Sequence, residues 1–561
     1  MKKDTTSFLI IIIFVLTLTL PFSNKAVHMD DTIFIYIADQ IANDPLRPYS
    51  FHAEWGGYSG PGNRLVDTPL IPYYIALIRW IIGSSEIALH LSFIIFPLVA
   101  GLSFYFIAKK FIKWALISTL IMLATPTFLV NSHNLMLDVP MISLFLLSVA
   151  LFVYGVDTEN KKLLFSGGIV GGFAYMAKPN AIILIPILIL YCLIKKKPKY
   201  TAYQLIPAMF IILFLLHNYF FDERIFLQIF LQDYLPLLIR NKISSFKILG
   251  AYFFSNLSYI GGATIFPLFF LFPFLLRKRN FIFFILSAII SAVISAALYN
   301  ASSNFVSGNY TLLQILLFFI FITISIFFII LIFAENYSNI KMAMQNILKS
   351  KKVNYDVDMV FIFLWLMGTF ILNSGISGGT VRYNTLFLPP FLISYFILLK
   401  KYKEQFKLNI FKLSVFILVL TAFVGFLVAY ADYDYADSYR DFVMKNSQKY
   451  KNTKNNLWFT GSHGFQYYMQ KEGHKFLLHN DNSPKKGDFI IKARLPTPRR
   501  IGDDLVQRIE LVETITYDGK IPIRTQNPEA HAGFYTYAGG LLPFSISNSK
   551  LEHFDIYYVK E

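Results

Sequence analysis

KKLLFSGGIVGGFAYMAKPNAIILIPILILYCLIKKK, residues 161–197, decides how this chain is read. Between Lys161-Lys162 and Lys195-Lys196-Lys197 lies an apolar run, 163–194, interrupted by Lys178-Pro179-Asn180. A hydrocarbon core about 30 Å thick takes about 20 helical residues to cross, so the run is too long for one passage and tight for two. Loops on the cytoplasmic side carry the excess of Lys and Arg, so the two cationic ends belong on one side. The run is then a hairpin with Lys178 at its outer tip. Apolar runs of this kind recur from residue 8 to residue 430, and the composition agrees: of 561 residues, 55% are hydrophobic and only 15% charged. Soluble domains carry about 25% charge, which excludes that class.

The same rule orders the rest of the chain. Lys2 and Lys3 hold the start of a first span (8–20) in the cytoplasm, so 22–67 lies outside. The piece 69–83 contains Arg79 and is too short to span; it is expected to lie along the outer interface. With that choice, span 87–108 delivers Lys109, Lys110 and Lys113 to the cytoplasm. Spans follow at 114–130, 139–155, the 163–194 hairpin, 201–220, 258–276, 281–299 and 310–333. A cytoplasmic loop at 335–358 carries Lys341, Lys349, Lys351 and Lys352. Spans 359–373, 385–399 and 409–430 complete an expected total of thirteen. The expected fold class is an all-α polytopic membrane protein. Residues 1–430 form the spanning body with an outer loop at 22–86, and 431–561 form a small α/β extracytoplasmic domain. Strands are expected at 489–493 and 554–559, where apolar residues run or alternate.

The formal charge of +17 is accounted for by these anchoring loops and implies no nucleic-acid partner; the partner implied is the lipid bilayer. The single cysteine, Cys192, lies in an apolar run and leaves no disulfide framework.

Topology separates ordinary anchors from the polar residues that gather outside: Asp30, Asp31, Asp67, His133, Asp138, Lys178 and Arg382. Ionisable side chains at the ends of apolar runs are costly unless paired or useful. Asp30-Asp31 opens the segment 32–43, whose Ile33, Ile37 and Ile41 share one face of a short amphipathic helix. Two readings stand for this pair. Asp31 caps the helix and Asp30 is solvated, or the pair supplies a catalytic carboxylate. Asp67 before Thr68-Pro69 and Asp138 before Pro140 can each cap a helix or face a substrate, and His133 is a loop histidine between them. Lys178 and Arg382 are cations on the side that avoids them; lipid headgroups or a phosphate partner account for that, and Arg382 can hold two oxygens at once. Acids, cations and the aromatic residues Tyr49, Phe51, Trp55 and Tyr58 point to an enzyme acting on a phosphate-bearing lipid from the outer leaflet.

His28-Met29-Asp30-Asp31 after a first span, then Asp67-Thr68-Pro69-Leu70, then 132–140 (SHNLMLDVP), then Ala177-Lys178-Pro179, resembles the GT-C superfamily of integral-membrane glycosyltransferases. Within it the likeness is to the protein O-mannosyltransferase-like and aminoarabinose-transferase-like enzymes, glycosyltransferase family 39 and relatives. It covers about residues 1–400, and Gly461-Ser462-His463-Gly464 is similar to the tail of some prokaryotic members. The resemblance implies a GT-C fold of about thirteen helices. It implies transfer of a sugar from a polyprenyl-phosphate donor to a hydroxyl acceptor (protein, lipid or glycan) on the extracytoplasmic side, with inversion. It also implies a catalytic carboxylate in the Asp30-Asp31 pair, whose first member Asp30 is the match, with Lys178 and Arg382 matching cations that bind the donor; Asp67, His133 and Asp138 join them as substrate-binding candidates. One departure is that Asp67-Thr68 stands where aminoarabinose transferases carry a Glu-Lys pair, which tells against that particular sugar.

The chemistry is consistent with these residue types. An acceptor hydroxyl needs a base as it attacks, and a lipid monophosphate leaving group needs cations rather than a strong acid. No cofactor is implied, and a divalent metal is compatible but not required. The competing class is a polytopic transporter or flippase for lipid-linked sugars, which would carry ionisable groups near span centres and two related halves. Here those groups collect on one face.

Overall fold

The computed structural model describes residues 2–560 apart from 56–57, 66–67, 223–241, 265–270, 301–309, 350–354, 376–378, 407–408, 451–455, 480, 496 and 498. It is a multi-pass membrane protein, a helical body with a sheet-containing C-terminal region. Among the described residues eight helices are long and apolar enough to cross a membrane. They become nine if Ala115–Ala124 and Pro126–His133, bent by 63° at Thr125-Pro126, count as one broken span. Pro126 has no N–H to continue the ladder, which explains the bend.

The expected thirteen is therefore not confirmed among the described residues, and the reasons are local. The hairpin forms as expected, from Lys161–Ala177 and Leu184–Ile194 joined by a 3-10 turn over Pro179–Ile183. Its arms rise only about 25 Å and about 16 Å at 1.5 Å per residue, short of a full passage. Leu388–Phe406 forms but ends in Lys400, Lys401 and Lys403. The expected span 258–276 is divided by a π-turn, Ile260–Thr264, and partly falls outside the described residues, as do Lys351 and Lys352. Two helices overrun their expected ends, Leu312–Lys349 and Ile410–Asn446.

The short piece after Asp67 forms the helix Leu70–Ile82, whose Trp80 is 83% exposed. Large apolar residues also stay exposed along Leu205–Phe221 and Lys278–Asn300, as lipid-facing helices require.

Ion pairs tie helix ends together at two levels. At one end Asp4 meets Lys109 at 2.6 Å, Lys110 meets Asp157, and Lys195 meets Asp358 at 3.1 Å. Lys110, Lys113, Asp358 and Lys400 line one cavity there. These are the loops that the positive-inside rule assigned to a common side. At the other end lie Lys25, Asp30, Asp138, Lys178, Arg382 and Arg440 with their partners.

The helix Ile410–Asn446 passes position 430 unbroken and carries the chain into a five-stranded sheet. Leu457–Thr460 pairs parallel with Lys475–Phe476 and with Phe489–Ala493. Glu552–Val559 pairs antiparallel with Phe489–Ala493 and Ile509–Tyr517. Its inner face continues the core of the body: Phe442 stacks on Phe554 with ring centroids 3.7 Å apart, and Phe465 joins them. Residues between strands return to the helices. Val381 N donates to Phe534 O at 3.0 Å, Gln314 Nε2 to Ala530 O at 3.0 Å, and Tyr259 OH to Gly540 O at 2.8 Å. The tail is thus seated on the end of the bundle that carries Lys25, Asp30 and Arg382.

Candidate active site

The segment between the first span and the helix Asp31–Asn43 turns through Met29, at φ +45° in the left-handed region. Just after that turn two neighbouring carboxylates part, since adjacent residues at a helix start point about 100° apart. Asp31, at the first helical position, points inward: its Oδ1 accepts from Leu135 N at 2.8 Å and its Oδ2 from His28 N at 3.3 Å. Asp30 stands at the cap position, but neither carboxylate caps the helix. The capping reading is thereby corrected: Asp31 spends its oxygens on two other strands of backbone, and Asp30 turns to Arg382.

Asp30 Oδ2 accepts from Arg382 Nη1, and the same nitrogen stands 3.9 Å from Asp138 Oδ2. Asp138 Oδ1 accepts from Lys178 Nζ at 2.6 Å. Lys178 Nζ lies 4.3 Å from the Tyr383 ring centroid and the Arg382 guanidinium 5.6 Å from it, so one aromatic face serves both cations. Each partner comes from a helix end. Asp138 opens Asp138–Thr158, Lys178 follows Lys161–Ala177, and Arg382 sits in the 3-10 turn Val381–Thr385. Asp138, like Asp30, makes no cap of its own; its carboxylate goes to the cations.

Arg382 is 12% exposed, and its Nε has no hydrogen-bond partner. Burial disfavours its charge, but Asp30 and Asp138 hold its affinity for the proton well above the ordinary value. Burial likewise pushes Asp30 up, yet Arg382 foremost, with His463 and Lys178, outweighs it and leaves the carboxyl below its ordinary value. Asp31 goes the other way, pushed up to about 8 by burial despite Lys25 and the two backbone donors. Two adjacent aspartates are thus held in opposite states, Asp30 as the ionised one.

Beneath this cluster lies a group that sequence reasoning missed. Lys25, 1% exposed, donates to Asp432 Oδ2 and to Asn134 Oδ1, both at 2.5 Å. Asp432 also accepts from Tyr535 OH at 2.7 Å and Thr525 Oγ1 at 2.9 Å, and Asn134 Nδ2 donates to Tyr535 OH at 2.8 Å. The loop after the first helix, the helix Ile410–Asn446 and the tail are locked together by one buried ion pair and its hydrogen bonds. The only signal in the sequence was Lys25 itself, a lysine directly after the first span on the side expected to avoid cations.

His133 is engaged elsewhere. Its Nε2 faces Leu18 O at 3.0 Å and its ring stacks on Phe22, which holds the end of the first helix. Asp67 lies outside the described residues. Of the seven residues singled out in the sequence, the structure brings together Asp30, Asp138, Lys178 and Arg382, with Asp31 alongside. Among the described residues no group of three His, Cys, Asp or Glu side chains converges as a metal site.

Residues 66–221 match the family model described as dolichyl-phosphate-mannose-protein mannosyltransferase, which lies within the group that the sequence motifs resemble. The stretch contains Asp138 and Lys178. Among solved structures, the oligosaccharyltransferase of Archaeoglobus fulgidus in complex with Zn and sulfate is similar with a TM-score of 0.47 at 12% identity, over 84% of this chain. The match covers 62% of that protein's length. ArnT from Cupriavidus metallidurans in the apo state gives a TM-score of 0.40 at 12% identity, over 99% of this chain and 98% of its own. The same protein bound to undecaprenyl phosphate gives 0.37 at 12% identity, over 86% of each. None of the curated proteins compared matches the sequence.

Proposed function

We propose that this protein is a membrane glycosyltransferase that moves a sugar from a polyprenyl-phosphate donor to a hydroxyl acceptor, with inversion at the anomeric carbon. In this reading Asp30 is the general base. It accepts the acceptor's proton as the hydroxyl oxygen attacks and the bond from the anomeric carbon to the phosphate oxygen breaks. Arg382 and Lys178 take the departing phosphate, and Asp138 holds both cations in place. Asp31 fixes the turn that presents Asp30, and Asp67 remains a substrate-binding candidate. The N-terminus is cytoplasmic, and the site and the tail face the extracytoplasmic side.

One observation carries the reading: the unpaired Nε of the nearly buried Arg382, beside a carboxylate kept ionised. A buried guanidinium with a donor left over costs free energy unless something accepts from it. A phosphate oxygen is the acceptor that its planar fork suits. Asp30 is anionic at neutral pH and can receive a proton, which is what an attacking hydroxyl needs. The donor class is supported by the match to dolichyl-phosphate-mannose-dependent enzymes over 66–221.

The test is transfer from radiolabelled polyprenyl-phosphate hexose into an envelope extract. Asp30→Asn keeps the shape and one acceptor oxygen but removes the base, and it is expected to lower turnover by about 10² to 10⁴-fold. Turnover within a factor of two of the parent, in a variant that inserts normally, would move the base elsewhere.

A further inference from the structure

The Gly461-Ser462-His463-Gly464 motif ends beside the reaction site. The helix His463–Lys471 begins there, with His463 at φ +60°, a left-handed conformation that costs a non-glycine residue free energy. The neighbouring glycine shows why the strain persists: a Cβ on Gly464 would collide with the carbonyl oxygen of Val27, so this helix lies directly on the segment leading to Asp30. Tyr468, one turn along, accepts at its OH from Val27 N at 2.8 Å and fixes the same docking.

In this setting the His463 ring is buried and underused. Its Nε2 lies 3.5 Å from Thr497 Oγ1, the Met29 backbone lies in reach of the ring as an acceptor, Trp55 and the ring meet edge to face with centroids 5.9 Å apart, and Nδ1 has no hydrogen-bond partner. The charged and titratable groups facing it are Asp30, His28 and Arg499. Burial keeps the ring neutral, pushed down to about 4, while the Asp30 carboxylate acts in the opposite direction. A buried, strained, neutral imidazole with an open nitrogen next to a carboxylate base is a proton acceptor awaiting use.

We propose that His463, supplied by the C-terminal region, is a positioning residue that relays the proton received by Asp30 out of the site; this rests on the reading of Asp30 as base. The acceptor O–H proton passes to the Asp30 carboxylate as the new bond to the anomeric carbon forms and the lipid phosphate leaves with its electron pair. Asp30 then returns the proton through one bridging water to the ring nitrogen, and His463 releases it to solvent. Asp30 ends ionised and His463 neutral, ready for the next acceptor. The tail thereby becomes part of the catalytic cycle rather than an appended binding module.

The test uses the full-length protein in detergent with polyprenyl-phosphate hexose and an envelope extract. His463→Asn suits the left-handed backbone, and His463→Gly removes both strain and ring. Monodisperse elution with an unchanged unfolding midpoint establishes that each is folded. The expected result is a kcat about 10- to 100-fold lower with KM unchanged, a larger solvent deuterium effect, and partial recovery of His463→Gly by added imidazole. A folded variant with the parent kcat, or a loss that appears only in KM and ignores imidazole, would overturn the relay while leaving Asp30 as base. A parent protein that transfers no sugar would overturn both.

Discussion

Replacing Arg382 with methionine tests the proposed site where its charges balance. In the parent two carboxylates, Asp30 and Asp138, face two cations, Arg382 and Lys178. Without Arg382 the group is left with one net negative charge, in surroundings where little solvent reaches it. The departing phosphate then meets one cation and two carboxylates. Removing one preorganised donor to a developing anion costs about 2.7–4 kcal/mol, about 10² to 10³ in rate, so Arg382→Met is expected to lose that much in kcat/KM. Arg382→Lys keeps the charge but offers a single point where the guanidinium offers a fork, and should recover only part of the loss.

A second signature concerns pH. Arg382 is the chief influence lowering Asp30, and burial is the opposing one. With the cation gone the burial effect remains, so the Asp30 carboxyl rises. The acid limb of kcat/KM, which in the parent lies below the usual carboxylate range, moves to higher pH. Initial rates of labelled transfer between pH 4 and pH 8 for the parent and both variants measure this. If Arg382→Met keeps more than half the parent kcat/KM, Arg382 does not meet the phosphate; if it loses rate with an acid limb that does not move, Arg382 does not govern Asp30; either result refutes that half of the assignment.

Other outcomes follow from the groups around the site. Lys25→Met leaves the fully buried Asp432 without its cation and should destabilise the fold by about 3–5 kcal/mol, read from denaturant unfolding in detergent. The double change with Asp432→Asn should cost less than the sum of the single changes, and strict additivity would refute the pairing. Glu552, buried in the tail and pushed up to about 8 by burial, binds its proton more tightly folded than unfolded. Its contribution is full below the ordinary carboxylate value and is lost as pH rises toward about 8, so stability should fall across that window. Glu552→Gln should flatten the fall, and an unchanged slope of unfolding midpoint against pH would count against it.

Much of this architecture was legible because a bilayer constrains a sequence more tightly than water does. The hairpin 161–197 could be read from two lysine clusters and a proline, since an uncompensated charge rarely settles in hydrocarbon. The grouping of cationic loops at one end followed from the same rule. The strands at 489–493 and 554–559 were visible from their apolar patterns, and Asp30, Lys178 and Arg382 stood out as ionisable groups in unexpected places. The count of spans was less legible. A run of apolar residues does not say where Pro126 bends the helix or where a 3-10 turn divides it, because these depend on a few backbone hydrogen bonds.

What the sequence determined by itself was the solvent of each segment and, through it, which side each loop shares, because transfer between water and lipid is set by local composition. What only the tertiary structure decided was pairing. Nothing local tells Asp30 from Asp31, yet one faces Arg382 and the other two backbone N–H groups, because successive residues at a helix start point about 100° apart and different partners stand on the two sides. Nor does any local pattern bring Lys25 to Asp432, or the His463–Lys471 helix onto Val27, across some four hundred residues, since such contacts arise from helix ends converging at one level and from a tail that folds back onto them.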